Sequence, residues 1–154
     1  MDLGDLLTPE GVFASVRVKN KKQALRELAN RAAQTTGLDE RQVFDTLLQR
    51  ERLGTTAVGR GIAIPHGRIG GLEHIATVFA QLEEAIDFEA PDGEHVDLVF
   101  VLLAPEQAGA DHLKALARIS RVLRDPLTLE KLRAAHDRAA LYAVLTEPMA
   151  THAA

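Results

Sequence analysis

Cysteine and tryptophan are both absent from the 154 residues, and there is only one tyrosine. A chain without thiols cannot form disulfides, thiolate zinc sites or iron–sulfur clusters, and it cannot use a cysteine nucleophile. The absence fits a reducing compartment, and we expect a cytoplasmic protein. The six histidines, by contrast, make that residue the first candidate for chemistry near neutral pH.

An excess of basic residues and long hydrophobic runs are also lacking. Eighteen Lys and Arg side chains face 22 Asp and Glu side chains, which gives a net charge of −4 and predicts no nucleic-acid partner. The longest apolar run, residues 98–104, is far shorter than the ~20 residues of a membrane-spanning helix. Residues 1–5 are acidic, unlike the basic start of a signal peptide, so we predict no membrane insertion.

The motifs of several common enzyme classes are missing. The stretch GRGIAI (residues 59–64) begins like the dinucleotide pattern G-x-G-x-x-G, but it ends on Ile64 and leads into a predicted strand. No G-x-x-x-x-G-K-[ST] phosphate loop, H-E-x-x-H zinc motif or G-x-S-x-G nucleophile motif is present. The sequence therefore predicts a protein that uses no nucleotide cofactor bound by these motifs.

Hydrophobic periodicity separates strands from helices along the chain. Strands are predicted at residues 12–18, 62–64, 75–82 and 96–104. The last of these is apolar without interruption over residues 98–104, as in a central strand that is covered on both faces. Helices are predicted after the capping residues Asn20, Asp39, Asp111, Asp125 and Asp137. This alternation predicts the α/β class: a single-domain sandwich with a central mixed sheet flanked by helices.

Two histidines stand out by their position in these predicted elements. His66 follows a short strand in a glycine-rich loop, and His112 lies in the first turn of the helix after the most apolar strand. Ligands of open α/β sheets gather beyond the carboxyl ends of the strands, so both side chains are expected on one rim. Spacing alone explains each of them equally well as an ordinary hydrogen-bonded rim histidine. The other four are predicted to be solvated surface residues: His74, His95, His136 and His152.

A pair of rim histidines suggests phosphoryl chemistry. A neutral imidazole nitrogen is a good nucleophile toward phosphorus, and a helix N-terminus keeps a nearby imidazole neutral while offering N–H groups to an anion. Phosphoryl transfer also needs positive charge near the reacting group. The arginines within 16 residues of His66 are Arg50, Arg52, Arg60 and Arg68, and the sequence alone does not choose among them.

The run GRGIAIPHG (residues 59–67) resembles the active-site signature of enzyme IIA domains of the bacterial phosphoenolpyruvate-dependent phosphotransferase system. The similarity is to the fructose–mannitol class and its nitrogen-regulatory relatives. RERLGTT (residues 50–56) lies at the expected distance upstream, and VDLVF (96–100) and DHL (111–113) fit downstream. The resemblance covers residues 5–146, so we predict one domain over residues 1–154, with a core at 5–146 and a tail at 147–154.

The resemblance implies a role for each site residue. His66 is then the phosphoryl acceptor, supplied by a phosphohistidine carrier of the HPr or NPr type, and no metal or cofactor takes part. His112 hydrogen-bonds the phosphate, Arg50 neutralises its charge, and Thr56 adds a hydroxyl contact or merely caps the loop. Arg60 departs from the family pattern, where a small polar or acidic residue is usual, and we predict that it points to solvent. His95 replaces a common proline and is interpreted as a surface substitution.

The resemblance leaves several functions open. A chain of 154 residues has no room for fused transport domains, which favours the nitrogen-regulatory type, a phosphorylation-state switch that binds regulatory target proteins. The alternative is a sugar-specific IIA that passes its phosphate to a separate IIB unit. A third possibility is a purely protein-binding module. A metal site formed by His66 and His112 is disfavoured, because only two histidines face each other and no carboxylate accompanies them.

Overall fold

The structure, a computed structural model, describes residues 2–147. The helices are α1 (Leu3–Leu6), α2 (Lys21–Thr36), α3 (Glu40–Arg52), α4 (Ala110–Arg124), α5 (Pro126–Ala134) and α6 (Arg138–Thr146). A single 3₁₀ turn, Pro9–Gly11, follows α1. The strands are β1 (Val12–Val16), β2 (Ala57–Gly59), β3 (Ile62–Ala63), β4 (His66–Ile69), β5 (Ala76–Ile86) and β6 (Val96–Pro105).

The six strands form one mixed sheet in the order β1-β5-β6-β3-β2, with β4 also paired to β6. β1 runs parallel to β5, β5 antiparallel to β6, and β3 and β4 parallel to β6. β6 therefore has partners on both sides and lies in the middle of the sheet, as its continuous apolar sequence predicts.

Each face of the sheet carries its own hydrophobic core. Val99, Val101 and Leu103 of β6 pack in a cluster with α2 and α3, whereas the alternate residues Phe100 and Leu102 pack in a cluster with α4, α5 and α6. Successive side chains of a strand point to opposite faces, so one apolar strand supplies both cores. The predicted sandwich with a central mixed sheet is confirmed.

Most of the predicted helix boundaries are confirmed by their caps. The side chains of Asn20, Asp39 and Asp137 each accept a hydrogen bond from a main-chain N–H in the first turn of α2, α3 and α6. The prediction that Asp111 caps α4 is wrong. Gly109, at φ +57°, occupies that position, and Asp111 lies inside the first turn, which places its carboxylate near the positive end of the helix.

The segment around His66 differs from the prediction, because His66 begins strand β4 instead of lying in a loop. β3 and β4 both pair with β6, and only Ile64 and Pro65 interrupt them. At the interruption, Ile64 N donates to Thr56 O, and Leu102 N of β6 donates to Pro65 O. Gly and Pro made this segment look irregular in sequence, whereas pairing with the central strand keeps it extended.

The predicted tail at 147–154 lies outside the described residues, apart from Glu147. The division of the chain into a core and a tail therefore stays a prediction. Of the helices in residues 2–147, none is long and apolar enough to cross a membrane.

Candidate functional site

His66 is the first residue of β4, and its pairing with β6 determines on which face of the sheet its side chain lies. It is paired with Leu102 of β6, whose side chain belongs to the core beneath α4. Neighbours in register share a face, so the half-buried imidazole lies on the α4 side of the sheet. Its Nδ1 is 2.7 Å from Ile64 O. A carbonyl only accepts, so Nδ1 carries the hydrogen and Nε2 keeps a free lone pair.

His112 approaches His66 from the first turn of α4. The two rings meet edge to face, with centroids 5.8 Å apart and planes inclined at 72°. Arg68 Nε donates to His112 Nδ1 at 3.3 Å, and a guanidinium cannot accept, so Nε2 of His112 carries the hydrogen. That Nε2–H is buried and has no hydrogen-bond partner in the described part of the chain. The site thus combines a free lone pair on one ring with an unused donor on the other.

Burial keeps both imidazoles neutral. It lowers the pKa of His66 below the usual range; the charge of Arg50 lowers this pKa further, whereas the bond to Ile64 and the charge of Glu51 oppose the shift. The pKa of His112 is also lowered, first by burial and then by the proximity of His66 and Arg68. Both groups are therefore uncharged at neutral pH, the form in which an imidazole is nucleophilic.

Arg50 lies in the last turn of α3 and is half-buried. Its Nη1 donates to Gly54 O at 2.9 Å, which fastens the turn after the helix. Its positive charge lowers the pKa of His66. The glycine at residue 67 allows α3 to pack close against β4, because a Cβ atom there would lie 2.6 Å from Cγ2 of Thr46.

Thr56 donates two hydrogen bonds to Glu51, a buried carboxylate that the sequence analysis did not identify as a candidate. Glu51 Oε2 accepts from Thr56 N at 2.8 Å and from Lys21 Nζ at 2.8 Å, and Glu51 Oε1 accepts from Thr56 Oγ1 at 2.5 Å. Glu51 is only 6% exposed, so these bonds satisfy a charge that water barely reaches. A direct contact between Thr56 and a phosphate stays a prediction, and the hydroxyl would have to release Glu51 to donate.

The remaining predicted residues lie away from this centre. Arg60 is exposed, but its Nη1 donates to Arg124 O at 3.1 Å instead of being free in solvent. Three of the histidines predicted to be solvated are exposed, namely His74, His95 and His136, and His152 lies outside the described residues. No group of three or more His, Asp or Glu in residues 2–147 could hold a metal ion.

Arg68 contacts His112, but the sequence alone did not distinguish it from the other candidate arginines. It was one of four candidate arginines, and the resemblance selected Arg50. Its spacing of two residues from His66 would have placed both side chains on one face, had the segment been recognised as a strand. Glu51 gave no comparable signal, because its ion-pair partner Lys21 lies on a different helix and its bonds to Thr56 depend on how the chain turns after α3.

Comparison with known proteins agrees with this architecture. The family model for the phosphoenolpyruvate-dependent sugar phosphotransferase system, EIIA 2, matches residues 5–147. A "Nitrogen regulatory protein" of Bradyrhizobium diazoefficiens is 60% identical over 153 residues, which cover 99% of this chain and 100% of the relative. A "PTS system fructose-specific EIIA component" of Haloferax volcanii is 35% identical over 151 residues, covering 96% and 98%.

The fold is also found among solved structures. The crystal structure of nitrogen regulatory protein IIA-Ntr from Neisseria meningitidis matches with a TM-score of 0.88 at 33% identity, covering 94% of this chain and 99% of that one. The family model extends over nearly all of the residues described, including the strands and helices that hold His66 and His112. The chain therefore belongs to the EIIA type-2 family of the phosphoenolpyruvate-dependent sugar phosphotransferase system.

Proposed function

We propose that this protein is a phosphoryl carrier that accepts phosphate on Nε2 of His66 from a phosphohistidine of an HPr- or NPr-type protein. The observation that carries the proposal is the hydrogen bond from His66 Nδ1 to Ile64 O, at 2.7 Å. It leaves Nε2 as the nitrogen with a free lone pair. Burial adds to this by keeping the imidazole neutral.

The transfer exchanges one nitrogen–phosphorus bond for another. The Nε2 lone pair of His66 bonds phosphorus while the bond to the carrier histidine breaks, and its electron pair returns to the carrier nitrogen. The His66 ring becomes positive as Nε2 bonds phosphorus, and the Ile64 carbonyl is placed to stabilise that charge through Nδ1–H. Retaining this proton also makes the ring a neutral leaving group when the phosphoryl group moves on.

Two further residues are suited to stabilise the phosphoryl group on His66. The buried Nε2–H of His112 lacks a partner and lies on the ring that contacts His66, so it is available to a phosphoryl oxygen. The charge of Arg50 reaches the same imidazole and would offset the dianionic phosphate. For His112 and Arg50 these are the roles that the resemblance implies. For Thr56 the resemblance left a phosphate contact or a loop-capping role open, and its bonds to Glu51 support the second.

A regulatory output suits the surface around the site. Leu53, directly after α3, is 85% exposed, and Leu113, next to His112, is 67% exposed. The two leucines lie at the end of α3, which carries Arg50, and on α4, which carries His112, so they are available to a partner protein that covers this part of the surface. Phosphorylation would add about −1.5 to −2 charges to it, which alters the affinity for a partner that covers it. The 60% identical relative carries a regulatory name, which supports this role over transport.

A sugar-specific carrier is the second candidate. The 35% identical relative from Haloferax volcanii is named for fructose, so the same fold and length occur with a transport name. In that case the phosphoryl group would pass from His66 to a separate IIB unit.

Labelling tests the acceptor. The protein is incubated with a phosphorylated HPr-type carrier and analysed by intact mass, and one acid-labile phosphate per chain is expected. His66→Ala should take up none, whereas His136→Ala, which removes an exposed histidine, should label fully. His112→Ala should label but pass the phosphate on slowly. Full labelling of His66→Ala would overturn the proposal.

Complementation separates the regulatory role from transport. In cells that lack the gene, His66→Ala should lock the protein in its unphosphorylated regulatory state, and sugar uptake should be unaffected. Loss of growth on a sugar would favour the transport role instead. A regulatory effect that is identical in wild type and His66→Ala under all conditions would indicate a purely protein-binding module.

A further inference from the structure

One arginine joins the two histidine-bearing elements of the site. Arg68 lies two residues after His66 on β4, in register with Ala104 of β6, so its side chain leaves the sheet on the same face as His66. From there its Nε donates to Nδ1 of His112 at 3.3 Å. The strand that carries the acceptor thus also supplies the group that contacts the second histidine.

The other nitrogens of Arg68 reach the segment that leads into α4. Nη1 contacts Glu106 O and Nη2 contacts Gly109 O, each at 3.5 Å. Gly109 is the N-cap of α4, three residues before His112. Each contact is long and individually weak, but a planar guanidinium that makes all three fixes a direction as well as a distance.

The direction of the hydrogen bond from Arg68 to His112 matters because a neutral imidazole has two tautomers. With a permanent donor at Nδ1, His112 must carry its hydrogen on Nε2. The tautomer with hydrogen on Nδ1 would place two donors against each other and leave a lone pair where the phosphate oxygens are expected. Because His112 is only 9% exposed, water does not replace Arg68 as the donor to Nδ1.

We propose that Arg68 is a positioning residue, which holds His112 in the Nε2–H tautomer so that its buried donor is ready for a phosphoryl group on His66. The part that concerns phosphate rests on the proposed function. The part that concerns the tautomer is a property of the unphosphorylated protein and can be measured separately.

The tautomer is measured first, by long-range ¹H–¹⁵N correlation spectra of the histidine side chains in the unphosphorylated, full-length protein at neutral pH. We expect a protonated Nε2 and an unprotonated Nδ1 for His112 in the wild type. Arg68→Met keeps the aliphatic stem but removes the donors, so both nitrogens should shift toward the average of a tautomer mixture. Arg52→Met, which removes an exposed arginine without a place in the site, should leave the His112 signals unchanged.

Phosphoryl transfer is measured second. Arg68→Met should still take up one phosphate per chain, with the rate of onward transfer about tenfold lower, the size of effect expected when one transition-state hydrogen bond is lost. Arg68→Lys keeps a charge and a donor and should recover part of both readouts. It also serves if Arg68→Met folds poorly.

The outcomes separate the two proposals. A His112 signal that is the same in wild type, Arg68→Met and Arg68→Lys would overturn the role of Arg68, whatever the labelling shows. Failure of the wild type to label at His66, with the tautomer shift present, would overturn the phosphoryl-carrier function alone.

Discussion

Glu51 accepts both hydrogen bonds that Thr56 can donate, from its main-chain nitrogen at 2.8 Å and from its hydroxyl at 2.5 Å. Since Glu51 directly follows Arg50, this pair fixes the end of α3 to the start of the segment that leads to His66. Lys21 of α2 completes the cluster through its ion pair with Glu51. The cluster thereby connects α2, the end of α3 and the segment that contains Thr56.

Thr56→Val should destabilise the protein by about 1–3 kcal/mol, because it leaves a buried carboxylate oxygen without its donor. Thr56→Ser keeps the hydroxyl and should cost much less. Urea denaturation followed by circular dichroism measures both. Equal stabilities for Thr56→Val and wild type would show that the bond to Glu51 contributes nothing to folding.

Gly67→Ala should separate β4 from α3. Its Cβ would lie 2.6 Å from Cγ2 of Thr46, and the next contact, Thr46 O, is at 3.7 Å. Overpacking of this kind costs about 1–3 kcal/mol. Thr46→Ser removes the Cγ2 methyl but keeps the hydroxyl that bonds Gln42 O, so it should relieve the clash in the double variant. A double-mutant cycle on thermal unfolding measures the coupling, and strict additivity would contradict the predicted contact.

Acid should weaken the fold through His66. Because its pKa is lowered in the folded protein, the unfolded chain binds the proton more readily once the pH falls below the usual histidine value of about 6.5. The stability is therefore complete above that pH and is lost as the pH falls through the folded pKa. His66→Gln, which cannot titrate, should show a shallower decline in free energy of unfolding over this range. A decline of equal slope in both proteins would show that His66 does not contribute to the loss of stability in acid.

Glu51→Gln should lower the pKa of His66 still further. The negative charge of Glu51 favours the protonated imidazole, and a neutral amide removes that influence while Arg50 remains. An NMR titration of the His66 ring protons measures the change. Asp45→Asn, an exposed acidic residue of α3, is the matched control and should leave the His66 titration where it is in wild type. An upward shift in Glu51→Gln would have the wrong sign.

Local chemistry made the architecture predictable from the sequence. Asn20, Asp39 and Asp137 begin helices because their side chains satisfy main-chain N–H groups that are only a few residues away. The apolar run of β6 identified the central strand because two buried faces leave no place for polar side chains. The strand β4 escaped prediction, since the extended form of a Pro-His-Gly segment depends on pairing with β6.

The sequence by itself determined the fold class and predicted the two histidines that meet in the candidate site, because hydrophobic period, capping residues and the motif around His66 are all local. Only the tertiary structure decided which nitrogen of each ring holds the hydrogen, since this depends on Ile64 O, which accepts from Nδ1 of His66, and on Arg68, which donates to Nδ1 of His112. The tertiary structure also brings two of the four candidate arginines to the histidines: Arg68 of β4 donates to His112, and the charge of Arg50 of α3 lowers the pKa of His66. Hydrogen-bond direction and charge act over a few ångströms in space, and distance along the chain does not encode them.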